Sequence, residues 1–519
     1  MKIKNIITVL CGLLILNSCN EDDLTILPDG RELDATFYQT DEQIIQALNG
    51  AYDPLQHIIW GGSTFLWGSV TSDDAVAGGE NESDQRGYQV ADLFITTAIE
   101  DDDQNLETFW TVMWRMNTRC NPIIIYANPE SVSGSKGIAN AYFLKGFAYF
   151  NMVRMFGKLP IVDDIPSIDS KYSRATLAET WDAIERYLTT AIDMTGGGYG
   201  LDVRVNQNDP TNGYATLGSA QMLLGKVYLY REKYSEAIDV LEDIVESGQY
   251  DLEANYADIF DPGNTHGIES VFEINFTTQG NQSWDNRLNN GNAIATLSSP
   301  RAFTNVIREF PDGIHYSGWG FNQPTQKLVQ AFDDMGDDIR KYVSTISTDT
   351  LQYQCDTANP PLETIWQNSV TGYWDNKHCT KVGYRLSDTQ VAMNVVAMRY
   401  ADVLLMLAEA YNRSNQDGPA RDYLNEVRER VDLDLVSSSE DALFEDIKKE
   451  RQLELCLEGD RYFDLVRWGD AAEELTGDYE LSLSYSTGRP GVSTNGLFPI
   501  PYDEIVNYGD FDFEQNPDY

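Results

Sequence analysis

The sequence has few basic residues, few histidines and few cysteines, and each shortage excludes a class of function. Its 37 lysines and arginines stand against 82 aspartates and glutamates, which gives the 519 residues a formal net charge of −45. Such a chain repels polyanions, so nucleic acid and anionic lipid surfaces are excluded as partners. The 4 histidines and 6 cysteines form no pair at zinc-ligand spacing. The sequence therefore predicts no structural metal site, and nothing in it calls for a cofactor.

Long apolar runs are also scarce. Lys2 and Lys4 precede the run Ile6 to Leu16, which is too short to span a bilayer and has the pattern of a secretory signal. No other uncharged apolar run reaches the roughly 18 residues that a spanning helix needs. We therefore expect export, with residues 1–18 as the signal peptide.

The end of this run resembles the lipobox of bacterial lipoproteins, in which cleavage leaves a cysteine to be acylated as the new first residue. Here the matching residues are Leu16 to Cys19. The resemblance implies lipidation of Cys19. We expect a polar tether over 19–35, and since no obvious linker follows, 36–519 is expected to form a single domain or two closely packed ones. The segment Asn20 to Asp23, which contains three acidic residues, resembles the surface-export signal of some Gram-negative lipoproteins. We expect an outer-membrane lipid anchor on the cell surface, with a periplasm-facing lipoprotein as the alternative.

A charged stretch near the C-terminus, Ile447 to Gly469, repeats at helical spacing. Its polar side carries Glu450, Glu454, Glu458, Arg451, Arg461 and Arg467. Two glutamates on one helix face could be the acid and base of a glycosidase. However, arginines three or four positions away hold a carboxylate ionised, whereas a general acid needs a raised pKa. We interpret these residues as local structural ion pairs. Gly459 marks a point where the backbone turns or approaches a neighbour closely.

Three segments share a small residue placed three positions before a tyrosine, and helical patterns follow them. The pairs are Gly146 with Tyr149, Gly225 with Tyr228, and Ala408 with Tyr411. This pattern resembles the tetratricopeptide helix pair, in which the small residue lets two helices approach. The predicted helices cover 37–54, 106–128, 141–156 with 177–194, 220–232 with 234–244, and 401–411 with 420–427. Ordinary amphipathic hairpins would give the same mainly α fold class.

Two regions, about 56–99 and 250–396, lack helical periodicity and are predicted to be loop-rich insertions of a binding region. The second region has possible helices at 300–309 and 325–334 and a short strand at 270–276. It also holds Cys355 and Cys379. In an exported protein these two could form a disulfide, although with Cys120 and Cys456 three complete pairings are open.

Taken together, the motifs resemble the SusD/RagB family of outer-membrane nutrient-binding lipoproteins over nearly the whole chain. The residues that carry the resemblance are Leu16 to Cys19; Phe37 to Tyr52; Lys145, Gly146, Tyr149, Phe150, Phe156, Gly157 and Pro160; Arg399 to Asp402 and Leu407 to Ala410; Glu450, Arg451, Glu454, Leu455, Glu458, Gly459, Arg461, Asp464, Leu465, Arg467 and Trp468; and Pro499 to Pro501, Glu504, Asn507 and Gln515 to Pro517.

The resemblance implies a mainly α fold in which four tetratricopeptide-like helix pairs support a loop-rich ligand-binding face. It also implies a role. The protein would capture oligosaccharide or polysaccharide and deliver it, as a lid, to a partner SusC-like TonB-dependent outer-membrane transporter. No catalytic residue is implied.

Sugar binding suits the aromatic content, because rings stack on pyranose faces while amides, carboxylates and arginines take the hydroxyls. Trp319 lies where relatives place a stacking ring, just before a helix of the middle region. The candidate ligand-binding residues are Trp319, Trp284, Asn286, Arg287, Tyr316, Trp67, Tyr88 and Asn81. For each aromatic residue the alternative is core packing.

One departure from the family pattern concerns a second ring. Relatives carry a tryptophan shortly after a Thr/Ser-Asp-Asp/Glu step, whereas here Thr71 to Asp74 are followed by Ala75 to Gly79 without one. Tyr88 or Trp67 could substitute. A peptide ligand is therefore the main alternative to a glycan. A surface glycosidase and a helical scaffold that binds only protein are the remaining hypotheses.

Overall fold

The structure is a computed structural model. It describes residues 37–58, 64–81, 83–93, 104–167, 170–209, 213–279, 291–302, 307–310, 313–357, 361, 369–381, 383–475, 496–508 and 513–517.

These residues form a mainly helical protein, as predicted. The helices are α1 (Asp41–Ile58), α2 (Thr64–Val70), α3 (Arg86–Leu93), α4 (Gln104–Tyr126), α5 (Val132–Phe156), α6 (Leu177–Gly196), α7 (Leu217–Tyr230), α8 (Tyr234–Glu246), α9 (Ala293–Ser298), α10 (Gln326–Met335), α11 (Asp338–Ser344), α12 (Thr348–Thr357), α13 (Tyr400–Arg413), α14 (Asp417–Glu429), α15 (Glu440–Leu455), α16 (Arg461–Trp468), α17 (Ala471–Leu475) and α18 (Tyr502–Tyr508), with a 3₁₀ turn at Tyr256–Phe260.

The strands are short and pair in antiparallel two-stranded ribbons, β1 with β5, β2 with β10, β3 with β4, β6 with β7 and β8 with β9. Their bounds are β1 (Ala75–Gly78), β2 (Ser270–Ile274), β3 (Ile307–Phe310), β4 (Gly313–Tyr316), β5 (Phe321–Pro324), β6 (Thr345–Ser347), β7 (Tyr373–Asp375), β8 (Arg385–Ser387), β9 (Gln390–Val391) and β10 (Val395–Arg399).

Consecutive long helices pack as pairs, and the small residues at their contacts have the role that the sequence predicts. A Cβ atom on Gly146 of α5 would lie 2.5 Å from Cδ2 of Leu188 on α6, and one on Gly225 of α7 would lie 2.5 Å from Cδ2 of Leu241 on α8. Only glycine allows these helices to approach so closely. The main hydrophobic core lies between the long helices and holds residues from α1, α4 to α8 and α13 to α16.

Several boundaries differ from the sequence expectation. Helix α1 continues through Pro54 to Ile58, because the Gly50 carbonyl that loses its helical donor accepts a hydrogen bond from Arg119 Nη1 at 2.6 Å instead. The expected loop at 56–99 contains α2, β1 and α3. The prediction of a helix at 300–309 is wrong, since β3 begins at Ile307. The predicted helix at 325–334 is confirmed by α10, and the predicted strand at 270–276 by β2.

The possible disulfide is not formed. Cys355 is a buried thiol that packs with Ile346, Leu351 and Trp374. Cys379 is also a buried thiol, and its Sγ donates to the carbonyl oxygen of Asn376 at 3.3 Å. Among the described helices, none combines the length and apolar character needed to cross a membrane.

The stretch Ile447 to Gly469 folds as the end of α15, a turn, and α16. Gly459 turns the backbone at φ 90°, and its carbonyl oxygen would lie only 1.8 Å from a Cβ atom on Gly68. Gly459 thus serves both purposes that the sequence suggested, since it turns and also lies against α2.

The pairs predicted within this stretch between Glu450, Glu454 and Glu458 and the arginines Arg451, Arg461 and Arg467 are wrong, because no such pair is formed among these described residues and the arginines bind aspartates and Glu409 instead. Arg451 binds Asp402 and Asp464, Arg461 binds Asp73, and Arg467 binds Glu409 as well as Asp464. The glutamates bind elsewhere too. We use the name buried ionic cluster for Glu269, Glu450, Glu454 and Glu458 with their partners Arg340, Arg399, Arg428, Arg430 and Lys377.

Replacing Gly68 with alanine tests the contact between α2 and Gly459. The added methyl group would clash with backbone, which cannot rotate away, so we expect the free energy of unfolding to fall by at least about 2 kcal/mol. Urea unfolding followed by circular dichroism measures it. Gly50→Ala on α1 is the matched control, because no atom lies within 4 Å of its Cβ position. Equal stability of the two variants would contradict the contact.

Candidate ligand-binding site

Trp319 lies in the segment between β4 and β5, and its backbone is held by the C-terminal end of α9 and the residues that follow it. Its amide N donates to the Thr296 carbonyl at 3.0 Å, and the neighbouring amides of Gly318 and Gly320 donate to Pro300 at 2.8 Å and to Ser299 at 3.0 Å. Every backbone amide from 318 to 320 is therefore bonded to this one segment, which fixes where the Trp319 ring can stand.

The Trp319 ring is half-buried and rests on a small hydrophobic cluster that is separate from the main core. The cluster consists of Ala77, Tyr88, Leu297 and Phe321. Tyr88 is only 2% exposed, and its ring centroid lies 5.7 Å from that of Phe321. Trp319 thus packs on a cluster that contains two aromatic rings and keeps part of its surface accessible, as a ring that stacks on a sugar must.

Charged and amide groups flank this ring. Arg301 donates from Nη1 to the Trp319 carbonyl at 3.3 Å and to Asp84 Oδ2 at 2.6 Å, and from Nη2 to Glu80 Oε2 at 2.6 Å. Asn81 is exposed in the same turn and accepts the amide of Ser83 at 2.9 Å. Arg301 therefore joins the turn that bears Asn81 to the segment that bears Trp319.

The structure brings together Trp319, Tyr88 and Asn81 among the candidate residues. Tyr88 supports the ring from beneath and is too buried to stack on a ligand itself. Tyr316 is the last residue of β4, three positions before Trp319, and its side chain lies outside the described residues. The positions of Trp284, Asn286 and Arg287 also lie outside them.

Trp67 is not part of this surface. Its ring is 2% exposed and packs edge-on against Phe498 with centroids 5.0 Å apart, within the main core. The suggestion that Trp67 substitutes for the missing ring is therefore not supported, because residues distant along the chain, such as Phe498, bury its side chain.

The place of the missing ring is occupied by β1, which is buried along its whole length. It pairs with β5 in the register Ala75↔Pro324 and Gly78↔Phe321. A Cβ atom on Gly78 would lie 2.5 Å from the Gly320 carbonyl oxygen, so a large side chain has no room there. The residues from Ala75 to Gly78 are therefore small because β1 is buried and lies close against the segment that leads into β5.

Asp73 and Asp74 anchor this ribbon from its other end. The Asp73 carbonyl accepts from Thr325 Oγ1 at 2.6 Å, and the Asp74 carbonyl accepts from the Thr325 amide at 2.8 Å. The Asp73 carboxylate is buried and accepts two hydrogen bonds from Arg461, at 2.7 and 2.9 Å, with Lys327 also 2.9 Å away. Burial raises the pKa of Asp73, but Arg461 and Lys327 outweigh it and the net shift is downward.

Asp74 has the opposite electrostatic environment. Gln452 donates to its Oδ1 at 2.9 Å, whereas Oδ2 accepts no hydrogen bond from the described residues. Burial, followed by the negative charge of Asp73, raises the pKa of Asp74 to about 7. The sequence did not identify Arg301 or Arg461 as residues that position the site, because their partners are more than two hundred positions away.

The chain is similar to known proteins in both sequence and structure. A profile of the SusD family matches residues 268–519. A second profile, described as starch-binding associating with outer membrane, matches residues 24–207. A SusD-like protein from Formosa agariphila is 25% identical over 520 residues, covering 91% of this chain and 93% of the relative.

Two solved structures are similar to this chain over nearly all of its length. A laminarin-binding SusD-like protein has a TM-score of 0.76 at 27% identity, covering 93% of this chain and 100% of that one. Surface glycan-binding protein A from Bacteroides thetaiotaomicron, in complex with laminarihexaose, has a TM-score of 0.78 at 25% identity, covering 92% and 99%. Within the described residues, no group of three or more His, Cys, Asp or Glu is placed to hold a metal ion.

Replacing Asp74 with asparagine should change how stability depends on pH. Because the folded-state pKa of Asp74 is raised, the folded protein binds more protons than the unfolded chain between about pH 4 and 7, so the free energy of unfolding falls as pH rises through that window. Because asparagine does not titrate, we expect the free energy of unfolding of Asp74→Asn to fall less over this pH window than that of the wild type. The difference should be a few kcal/mol, the order implied by the pKa shift of Asp74.

Urea unfolding at several pH values measures this slope. Asp239→Asn, which removes an exposed carboxylate on α8, is the control and should leave the slope as in the wild type. A slope that Asp74→Asn does not alter would show that Asp74 is ionised throughout the window.

Proposed function

Because this chain belongs to the SusD/RagB family, we propose that it is a cell-surface glycan-binding lipoprotein that captures oligosaccharide or polysaccharide and delivers it, as a lid, to a SusC-like TonB-dependent outer-membrane transporter. The observation that carries the proposal is the half-buried Trp319 ring, which rests on Tyr88 and Phe321 and is flanked by polar groups. The two similar structures support it, since one protein binds laminarin and the other is in complex with laminarihexaose.

The chemistry of this surface fits a neutral sugar. A pyranose ring has an apolar face that stacks on indole and a rim of hydroxyl groups that both donate and accept hydrogen bonds. Beside Trp319 stand the guanidinium of Arg301, the carboxylates of Glu80 and Asp84 and the amide of Asn81. Their positions are set before any ligand arrives, so little conformational entropy is lost on binding.

We propose binding without catalysis. The glutamates first considered as acid and base lie in the buried ionic cluster. Burial raises the pKa of Glu454, but Arg430, Arg399 and Arg340 outweigh it and hold that pKa well below its ordinary range. A carboxylate in this state is a poor general acid.

Removing the indole of Trp319 tests the ligand class. Affinity gel electrophoresis in laminarin, amylopectin, xylan and galactomannan should show retardation of the wild type by at least one polymer. Trp319→Ala should weaken that binding about tenfold, because stacking contributes roughly 0.5 to 1.5 kcal/mol beyond the area that the ring buries. Trp319→Phe keeps a flat ring and should retain most of the binding. Trp181→Ala, which removes a half-buried indole outside this surface, is the control.

Each alternative hypothesis has its own outcome. Retardation that is unchanged in Trp319→Ala would remove this ring from the site. A wild type that no glycan retards would favour a peptide ligand, for which the missing second ring is the supporting observation. New reducing ends released from a polymer would instead indicate a glycosidase. Co-purification with the transporter but no retained small ligand would indicate a scaffold that binds only protein.

The anchor is tested by Cys19→Ser. If Cys19 is acylated, this variant loses its lipid. In cells that lack the SusC-like transporter, which would otherwise hold the protein at the membrane, we therefore expect it to leave the membrane fraction. Fractionation with immunoblotting measures this, and surface accessibility to added protease distinguishes an outward from a periplasmic orientation. Retention of Cys19→Ser in the outer-membrane fraction would contradict the lipid anchor.

A further inference from the structure

A cleft of about 750 Å³, which Trp319 does not line, opens at the β6–β7 ribbon and the 3₁₀ turn Tyr256–Phe260. Its volume lies within the range of roughly 300 to 1,000 Å³ that small-molecule sites occupy. The rings that line it are Phe260, Tyr342, Tyr373 and Tyr384. Nothing in the function proposed above uses this space.

The cleft has both of the chemical features that a sugar requires. Tyr342 is 73% exposed and Tyr373 and Tyr384 are half-buried, so tyrosine surface is available for stacking. The polar lining consists of Asp258, Asp261, Lys341, Lys381, Asn376, Ser347 and Thr350. The rings and the hydrogen-bonding groups therefore line the same space.

The charges of the lining are balanced, although the chain as a whole has a net charge of −45. Two carboxylates, Asp258 and Asp261, face two ammonium groups, Lys341 and Lys381. Lys341 is also paired with Asp333 outside the lining. A site with no excess charge favours a neutral ligand over an anion or a polycation.

The walls of the cleft are fixed by contacts that also hold the Trp319 segment. Side chains alternate along β7, so Tyr373 lines the cleft while Trp374 is buried, and a Cβ atom on Gly320 would lie 2.7 Å from the Trp374 ring. In the same way Tyr384 lines the cleft while the next residue, Arg385, donates from Nη1 to the Ser317 carbonyl at 3.1 Å. In both segments, therefore, one residue lines the cleft and the next residue contacts the segment that carries Trp319.

We propose that this cleft is a second saccharide-binding site, which takes a neutral glycan unit beside the one held at Trp319. The inference rests on the glycan-binding function proposed above. Two sites that share β7 and the segment leading into β8 would hold one polysaccharide at two points and so raise the overall affinity without any change at Trp319.

The test uses the full chain and the same affinity gels in laminarin, amylopectin, xylan and galactomannan. For the polymers that retard the wild type, Tyr342→Ala and Tyr384→Ala should each weaken binding about three- to tenfold, the range expected for loss of one stacked ring. The double variant Trp319→Ala/Tyr342→Ala should lose retardation altogether. Tyr353→Ala is the matched control, because Tyr353 is 70% exposed on α12 and does not line the cleft.

Thermal melts of all variants establish that they are folded, and the high exposure of Tyr342 makes its removal structurally mild. If a glycan binds and only Trp319→Ala weakens it, the second site is overturned while the proposed function stands. If a glycan that Trp319→Ala still binds is lost in the cleft variants, the second site is supported and Trp319 is removed from binding. If no glycan retards the wild type, both proposals fall.

Discussion

The structure depends on one buried carboxylate, that of Glu454, and on the three arginines that converge on it. Arg340 comes from α11, Arg399 ends β10, and Arg430 follows α14. An unpaired charge in this position would cost several kcal/mol, so the pairing has to be complete. Because each arginine belongs to a different element, the carboxylate fixes these elements against α15. The irregular middle of the chain is thereby attached to the helical part.

This attachment reaches the candidate ligand-binding surface at Trp319 through a second ion pair. Arg461 at the start of α16 binds Asp73, whose carbonyl oxygen accepts a hydrogen bond from Thr325, the residue between β5 and α10. From there the β1–β5 ribbon leads back to the segment that carries Trp319. The contacts that lead from Glu454 to Trp319 are ion pairs, the hydrogen bonds between β1 and β5, and the close approach of Gly78 to Gly320. A site supported in this way is rigid before its ligand arrives, which reduces the entropic cost of binding.

The use of arginine inside the protein also accounts for the acidic surface. With only 37 basic residues against 82 acidic ones, cations are scarce, and many of them are committed to buried carboxylates. The planar guanidinium group binds two carboxylates at once, so it suits this role better than lysine does. The excess negative charge stays on the outside, where it opposes association with polyanions. A neutral sugar is not affected by this charge.

The sequence by itself determined the fold class, most long helices and the family. Helical periodicity depends on residues close together in the chain, so it can be read from the sequence. The same holds for the glycines that face a neighbouring helix, Gly146 and Gly225, because each lies three positions before a tyrosine. It also identified Gly459 as a turn and a close contact, and it singled out Trp319. Only the tertiary structure decided which partner each charge has and which ring stays accessible. Trp67 is buried by Phe498, and Glu454 is neutralised by arginines from three other elements, since burial and charge pairing are set by residues brought together from distant parts of the chain.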